Sequence, residues 1–140
     1  MSLLLKIITP LRTVAEVQVL SILLPSADGQ LEILPGHTGL ISAVDNGELV
    51  YREVGADEPV SLFVGGGFLQ VEEDTALLVT DTAMAADEMD PDSISAAIEL
   101  AQKDLRNSDS VLSREEQMRL EALISKQLAM LEYKNSRRKR

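Results

Sequence analysis

The sequence predicts an N-terminal all-β sandwich followed by a C-terminal α-helical hairpin of two antiparallel helices, on three observations. Between residues 3 and 80, short runs rich in Val, Ile and Leu are broken by Gly, Pro, Asp and Asn, a pattern typical of sandwiches. Beyond Met84 the apolar residues recur at spacings of three and four, which indicates helix. Separate helix starts follow at Asp90-Pro91 and at Ser113. We therefore predict a β-sandwich over 1–86 and a helix-turn-helix hairpin over 87–140.

The predicted strands are the apolar runs between turn-forming residues. Turns are expected at 27–29, 45–47, 55–57 and 73–74, where Gly, Asn or Asp adopts turn conformations at low cost. The run 48–54 alternates apolar and polar residues, whereas 3–5 and 22–24 are continuously apolar, so we expect their burial on both faces. The predicted strands are 3–9, 14–23, 31–34, 39–44, 48–54, 60–64, 68–72 and 76–80.

The two helices are predicted from capping residues and apolar stripes. A hinge is expected at 83–87, after which Asp90 can cap free N–H groups and Pro91 suits the first helical position. A polar break is expected at 107–110, and Ser113 to Glu116 has the form of a capping box. The predicted stripes are Ile94, Ala97, Ile98, Ala101 and Leu105 in the first helix, and Leu120, Leu123, Ile124, Leu128 and Leu131 in the second.

The predicted hairpin has too few apolar side chains to be a domain of its own. Each fully buried side chain contributes roughly 1.5–3 kcal/mol, whereas ordering costs roughly 1–2 kcal/mol per residue. We therefore expect the helices to dock on each other, on the sandwich or on another chain, and a docked segment of this kind can have two docking sites.

Composition narrows the function. The 140 residues suit one domain, or one domain with a small appendage. Aromatic residues make up only 3%, which argues against stacking platforms for sugars or single-stranded nucleic acid. The chain has no cysteine, so disulfides and thiolate metal sites are excluded. We expect neither a classical export signal nor a membrane span, because no basic leader and no run of about 18 apolar residues is present.

Charge is distributed unevenly along the chain, whose net charge is −10. Residues 1–86 carry three basic and twelve acidic side chains, whereas 110–140 carry eight basic and four acidic ones. The acidic body disfavours nucleic acid and anionic lipid as partners, while the basic end suits an acidic protein surface. Alternatively, the last five basic side chains only solubilise a frayed end: Lys134, Arg137, Arg138, Lys139 and Arg140.

Three local features of the sequence are similar to chemical sites. Gly65-Gly66-Gly67 lacks the Lys-Ser/Thr and the helix of a phosphate loop, so we predict a bulge or a close backbone approach. The single His37 has no second ligand at metal-site spacing. Thr80-Asp81-Thr82-Ala83 is similar to an aspartic protease motif, but the chain then enters helix; we expect Asp81 to hydrogen-bond the turn that ends the sheet. No catalytic residue, metal or cofactor is predicted.

The most informative pair of segments is 34–43, which reads LPGHTGLISA, and 62–71, which reads LFVGGGFLQV. In this order and spacing they resemble the epsilon-subunit family of F-type ATP synthases. The opening segment LKIITP at 5–10, the turn at 28–31 and the helical C-terminal third extend the resemblance over the whole chain.

The resemblance implies a rotor subunit with no chemistry of its own. In this family the sandwich grips the gamma subunit and rests on the polar loops of the c-type rotor ring. Carried over to this chain, the gamma contacts fall on Thr9, His37 and Ser42. The ring-facing positions fall on Gln30, Leu31, Glu32, Pro35, Gly36 and His37. Some relatives have an acid where this chain has Gln30, which puts a charged ring contact there in doubt.

The resemblance also implies a regulatory role for the hairpin. In relatives it permits turnover when folded down and blocks ATP hydrolysis when extended along gamma. Arg114, Arg119 and Lys126 are then expected to face the acidic C-terminal region of the catalytic beta subunits, in the head of alpha and beta subunits that the chain meets transiently. An ordinary solvated helix face is the alternative. Some relatives bind ATP through Ile/Leu-Asp-x-x-Arg-Ala. This chain keeps Asp90 but has Ser93 in place of the arginine, so we expect weak or no ATP binding.

The implied location is peripheral, at the cytoplasmic face of the bacterial inner membrane, with association through the complex; the stromal face of the plastid thylakoid is the less favoured alternative. A second hypothesis, from a different class, is a free-standing β-sandwich binding module with a helical dimerisation tail.

Overall fold

The computed structural model describes residues 1–37, 39–107 and 112–138, without the side chain of Arg138. It divides the chain into two compact units, Met1–Ala85 and Ala86–Arg140. The first unit is a β-sandwich and the second contains two α-helices, so the predicted fold class is confirmed.

The sandwich contains the eight predicted strands, with ends shifted by a few residues, and one short strand more. Their bounds are β1 Leu3–Ile8, β2 Thr13–Ser26, β3 Gly29–Ile33, β4 Leu40–Val44, β5 Gly47–Glu53, β6 Val60–Val64, β7 Gly67–Glu72, β8 Thr75–Thr80 and β9 Ala83–Met84.

The long strand β2 connects the two layers of the sandwich. Its first half pairs antiparallel with β1, and its second half pairs with β5 and β3. On one side the strand order is β1-β8-β7-β4, with β1 and β8 parallel and the other pairs antiparallel. On the other side it is β2-β5-β6-β9. A single bridge from Ser26 to Val44 joins β2 to β4.

The core lies between the layers and consists of aliphatic side chains. Along β1, Leu3, Leu5 and Ile7 are buried while the intervening residues are partly exposed. Strands β7 and β8 alternate in the same way, through Leu69 and Val71 in β7 and through Ala76 and Leu78 in β8. This period of two places one face of each strand in the core and the other toward solvent or a partner.

The expectation that the continuous apolar runs are buried on both faces is wrong in degree. Leu3 and Leu5 are buried, but Leu4 between them is only partly so; Leu23 lies likewise between buried Ile22 and Leu24. Buried and partly exposed side chains therefore alternate even where the sequence is continuously apolar, because each strand has only one face in the core.

The predicted hinge at 83–87 is corrected in its first half. Ala83 and Met84 form β9, which pairs with β6 through Phe63–Met84 and Val64–Ala83. Ala83 is buried, so its place in the core keeps this segment in the sheet. A 3₁₀ turn at Ala86–Glu88 follows.

The glycine triplet is a close backbone approach, as predicted. A Cβ atom on Gly67 would overlap the Val79 carbonyl oxygen and lie 2.9 Å from the Thr80 Cα atom. Gly67 pairs with Thr80 on β8 and with Val44 on β4. The buried Thr80 hydroxyl lies 2.9 Å from the Gly65 carbonyl oxygen, and Gly65 N–H donates to the Thr82 carbonyl at 2.8 Å. Only a residue without a side chain fits at Gly67.

Helices α1, Pro91–Asn107, and α2, Arg114–Arg138, begin at the predicted caps. The Asp92 N–H donates to Asp90 Oδ1 at 3.1 Å, and the Glu116 N–H donates to Ser113 Oγ at 3.1 Å. Each cap satisfies an N–H that has no partner within its helix. The predicted break at 107–110 coincides with the end of α1 at Asn107, and its remaining residues lie outside the described part of the chain.

The two helices pack on each other and run in opposite directions. The Lys134 ammonium, near the end of α2, donates to the Ala86 carbonyl oxygen, just before α1, at 2.7 Å. Lys134 is partly buried and lies in a structured helix end, so the alternative of a frayed tail is wrong for this residue. Of the other four basic residues of that tail, Arg137 lies in α2, while the Arg138 side chain and residues 139–140 lie outside the described part.

The predicted stripe is confirmed for α1 and wrong for α2. Ile94, Ile98 and Ala101 are buried, as expected. In α2 the predicted Leu123 and Leu128 are exposed, and Leu120, Ile124 and Leu131 are only partly buried. The buried side chains of α2 are Met130 and Tyr133. Leucine is frequent all around α2, so spacing alone did not identify its inner face.

We expect Gly67→Ala to lower the free energy of unfolding by about 1–3 kcal/mol, because the added methyl group meets backbone atoms that cannot change rotamer. The measurement is denaturant unfolding of the full chain. Gly66→Ala is the matched control: its nearest neighbour would be the Val44 carbonyl oxygen at 3.5 Å, an ordinary contact. Equal unfolding midpoints for the two variants would contradict the close approach.

Candidate functional site

The outer face of β1-β8-β7-β4 carries one row of apolar side chains that crosses all four strands. Ile8 pairs with Val79, Val79 with Phe68 and Phe68 with Ala43. Paired residues of neighbouring strands share a face, so these four side chains lie side by side. We call Ile8, Val79, Phe68 and Ala43 the outer row.

Most of the outer row is exposed to solvent, and only Ile8 is partly buried. Phe68 is 66% exposed and Val79 49%; Ile41, which lies beside the row on β4, is 75% exposed. The next row, which contains Lys6, is mixed in polarity. Isolated exposed apolar side chains are ordinary, whereas a contiguous apolar patch that includes an aromatic ring marks a contact surface.

The sequence did not identify Phe68, Ile41 and Val79 as surface residues. The sequence carried only part of the signal: Phe68 and Leu69 are adjacent in a strand, so their side chains had to lie on opposite faces. Both faces of these strands are apolar in sequence, so the pattern did not tell which face was the core.

The Pro-Gly segment beside this sheet is a type II turn. The His37 N–H donates to the Leu34 carbonyl oxygen at 3.2 Å, which closes a four-residue turn. Pro35 occupies its second position, and Gly36 its third with φ of 84°, a conformation that favours glycine. Leu34 and Gly36 are exposed, while Pro35 and His37 are partly buried. The turn presents backbone groups in a fixed conformation.

The structure places the three predicted gamma-contact residues differently. Thr9 directly follows the outer-row residue Ile8, and its hydroxyl accepts the Arg12 N–H at 3.3 Å in the β1–β2 turn. His37 ends the type II turn. Ser42 is only partly buried, but it pairs with the buried Leu69 of β7 and therefore lies on the inner face of β4. Of these residues, Thr9 adjoins the outer row along the chain, whereas Ser42 points to the other face.

The predicted ring-facing residues occupy β3 and the type II turn. Gln30 and Glu32 are exposed on β3, and Leu31 between them is partly buried opposite Leu24 of β2. The hairpin that carries them is closed by Ser26, whose hydroxyl donates to the Gly29 carbonyl oxygen at 2.7 Å. This hairpin offers amide, carboxylate and apolar groups, but no positive charge, at its exposed end.

The predicted regulatory side chains lie on α2. Arg114 and Arg119 are exposed, while Lys126 is partly buried. At the start of α1, the Ser93 hydroxyl donates to Asp90 Oδ2 at 2.8 Å. Both carboxylate oxygens of Asp90 therefore accept hydrogen bonds from within the chain, because Oδ1 accepts the Asp92 N–H.

The protease-like motif begins at Thr80, the last residue of β8. Asp81 is exposed in the bend between β8 and β9, and its expected hydrogen bond to the turn stays a prediction. Within residues 1–37, 39–107 and 112–138, no group of three or more His, Asp or Glu side chains is arranged to hold a metal ion. None of the helices in these ranges has the length and apolar character that crossing a membrane requires.

Comparison with known proteins decides the family. The family model of the ATP synthase delta/epsilon chain β-sandwich domain matches residues 2–86. The chain belongs to the ATP synthase delta/epsilon family. The ATP synthase epsilon chain of Synechococcus elongatus is 39% identical over 107 residues, 76% of each chain. The epsilon chain of Trichodesmium erythraeum is 30% identical over 132 residues, 94% of this chain and 95% of that one.

Solved structures agree with this family in fold. A chain of the Euglena gracilis mitochondrial ATP synthase superposes with a TM-score of 0.73 at 17% identity, covering 92% of this chain and 79% of that one. A chain in the structure of the Tetrahymena thermophila ATP synthase central stalk and ring gives 0.63 at 11%, covering 96% and 97%. By its family, this chain is a subunit of an enzyme complex, the ATP synthase.

We expect the carboxyl group of Asp90 to titrate below its ordinary pKa of 3.8 in the folded chain. The hydrogen bond from the Ser93 hydroxyl makes the largest contribution to lowering the pKa, because it stabilises the carboxylate. The Asp92 N–H makes the next largest contribution in the same way. Because the folded pKa is the lower one, the cap stabilises α1 above pH 3.8 and loses this effect as the pH falls through the folded pKa.

Carboxyl-carbon NMR of the full chain would measure this titration, with amide exchange at Asp92 as the readout of the cap. Asp90→Asn is the control, since the amide keeps an acceptor oxygen but does not titrate. An Asp90 midpoint at or above 3.8, or the same pH dependence at Asp92 in the control variant, would contradict the assignment.

Proposed function

We propose that this epsilon-family chain is a non-catalytic subunit of the ATP synthase central stalk, coupling rotation of the membrane ring to the gamma subunit and the catalytic head. The observation that supports this proposal is the mostly exposed outer row, which crosses a four-stranded hydrogen-bonded sheet through Ile8, Val79, Phe68 and Ala43. A rotor subunit must transmit torque without deforming, and a hydrogen-bonded sheet with an apolar contact face suits that task.

The outer row suits gamma better than the ring. Its centre is an aromatic ring between aliphatic side chains, which fits an apolar protein surface in a lasting interface. Thr9, beside this row, is then the most direct of the proposed gamma contacts, and His37 and Ser42 complete the set. The position of Ser42 on the inner face of β4 favours contact through its neighbours Ile41 and Ala43.

The polar β3 hairpin and the type II turn suit the c-type ring. The proposed contacts Gln30, Leu31 and Glu32 lie on β3, and Pro35, Gly36 and His37 lie in the turn. The exposed turn offers backbone groups to polar loops, whose side chains can hydrogen-bond them. This assignment places the chain between ring and gamma at the cytoplasmic face of the membrane, associated with the bilayer only through the complex.

The hairpin is proposed as the regulatory part. Arg114 and Arg119 lie exposed on the first turns of α2 and, with Lys126, are proposed to meet acidic surfaces of the alpha and beta subunits. Such contacts weaken with salt. Glu115 and Glu116 beside them reduce the net attraction. We propose no ATP site here: Ser93 takes the position of the arginine in ATP-binding relatives, and its hydroxyl occupies Asp90 Oδ2.

We expect Phe68→Ala to weaken binding of the chain to its gamma subunit about tenfold or more, as truncation of a central aromatic anchor does. Phe68 is largely exposed in the chain itself, so the unfolding free energy should change by less than about 0.5 kcal/mol. The measurement is the dissociation constant by calorimetry, with the melting temperature alongside.

Val54→Ala is the matched control, because Val54 is 48% exposed but lies outside the outer row. We expect it to bind gamma like the unmodified chain. A Phe68→Ala variant that binds as tightly as the control, or an unmodified chain that does not bind gamma at all, would refute the proposed contact.

Ending the chain after Ala86 should raise ATP hydrolysis by the reconstituted complex and leave assembly and proton-driven synthesis intact. The sandwich unit, Met1–Ala85, has its own core, so the shortened chain is expected to fold. Hydrolysis that stays unchanged would show that the hairpin serves a structural role. The charge-reversal variant Arg114→Glu with Arg119→Glu separates electrostatic from purely mechanical inhibition. If inhibition is electrostatic, this variant loses both the inhibition and the salt dependence of inhibition; if it is mechanical, the variant still inhibits.

A further inference from the structure

The β7–β8 connection is a two-residue turn in an unusual conformation. Glu72 pairs with Thr75, so Glu73 and Asp74 alone form the loop. Both have positive φ angles, 48° and 57°, as a type I′ turn requires. Asn-Gly or Asp-Gly is the usual choice there, because side chains disfavour this region. Asp tolerates it better than Glu, yet neither position has the glycine that would remove the strain.

Asp74 makes two hydrogen bonds from this turn, to two different segments. Its carbonyl oxygen accepts the Leu4 N–H at 2.9 Å, which ties the turn to β1. Its carboxylate Oδ1 accepts the Gly36 N–H, also at 2.9 Å, across 38 positions of sequence. The first bond needs only a backbone. The second needs an acceptor side chain at this position.

The bond to Gly36 acts on the one peptide that defines the turn type. Type I and type II turns differ chiefly by a rotation of their central peptide, which here joins Pro35 to Gly36. The closing bond from His37 to Leu34 leaves the Gly36 N–H unused. This peptide is trans, so its N–H and C=O groups point in opposite directions. An acceptor on the N–H therefore directs the Pro35 carbonyl oxygen away from Asp74.

We propose that Asp74 is a positioning residue that locks the Pro35–Gly36 peptide in its type II orientation, so that the turn presents the Pro35 carbonyl oxygen to a hydrogen-bond donor of the rotor ring. This inference rests on the proposed function, which assigns the turn to the ring. Asp74 itself contacts no partner; it acts by removing the flipped alternative, which lowers the ordering cost of binding.

Two substitutions separate the side-chain bond from the backbone conformation. Asp74→Asn keeps an acceptor oxygen and tolerates positive φ. Asp74→Gly adopts positive φ freely but has no acceptor. Asn46→Ala is a control elsewhere in the sandwich, because the Asn46 side chain makes an equivalent bond to the Gly66 N–H at 2.9 Å.

The first readout is amide hydrogen exchange in the full free chain. In Asp74→Gly we expect the Gly36 amide to exchange about three- to tenfold faster, as an exposed bond to a carboxylate allows. Asp74→Asn should restore slow exchange. Asn46→Ala should accelerate exchange at Gly66 and leave Gly36 unchanged. Unaltered Gly36 exchange in Asp74→Gly overturns the lock.

The second readout is rebinding of the full chain to membranes that carry the complex stripped of this subunit. We expect Asp74→Gly to bind about three- to tenfold more weakly, at an unchanged melting temperature, and Asp74→Asn to bind normally. Equal binding of Asp74→Gly and unmodified chain overturns the positioning role while leaving the proposed function standing. Failure of the unmodified chain to rebind refutes the proposed function itself, whatever the exchange data show.

Discussion

The register of β7 against β8 and β4 is the constraint on which the rest of the sandwich depends. Gly67 begins β7 with its backbone against the Val79 carbonyl oxygen and Thr80, and a side chain there would force the strands apart. Because strand side chains alternate with a period of two, this one contact fixes which residues of β7 lie inward. Leu69 and Val71 enter the core, and Phe68 is thereby placed on the outer face. Core and candidate site thus follow from the same register.

The same register also explains why the exposed apolar side chains of the candidate site lie in one row across the strands. Each outer-row residue stands beside its partner on the next strand, from Ile8 to Ala43, so a contact surface four strands wide is built from one residue per strand. A surface of this kind is as rigid as the sheet itself, whereas the type II turn beside it needs a separate restraint, since a single peptide rotation would change what it presents. The two restraints differ in kind: backbone packing at Gly67 and a side-chain hydrogen bond at Asp74.

Local signals in the sequence were enough to predict where the strands and helices lie. They were not enough to predict which face of each element is buried. The caps at Asp90 and Ser113 were predictable because an N-cap is a property of adjacent residues, and the Pro-Gly turn for the same reason. Phe68 was not predictable as a surface residue, since an apolar side chain in a strand carries no mark of which layer covers it. Strand β9 was not predicted because two residues are too few to show an alternation of apolar and polar side chains. Its pairing with β6 is a tertiary contact. The buried residues of α2, Met130 and Tyr133, were not predicted for a similar reason. The leucines of α2 are more numerous, and their spacing was taken to mark the buried face.

The size of the outer row argues that it cannot act alone. Phe68 and Val79 of the outer row, and Ile41 beside it, gain about 1.5–3 kcal/mol each only if burial is complete. All three are already partly covered, whereas association costs an estimated 4–15 kcal/mol. A lasting attachment therefore needs further contacts, and we propose that the polar β3 hairpin and the type II turn, which lie in the same sandwich, provide them. Once the outer row is seated, these contacts form at high effective concentration, so that modest individual energies combine into a firm attachment. Rigidity of the sandwich is then the property that matters most, because it alone lets several weak surfaces engage together.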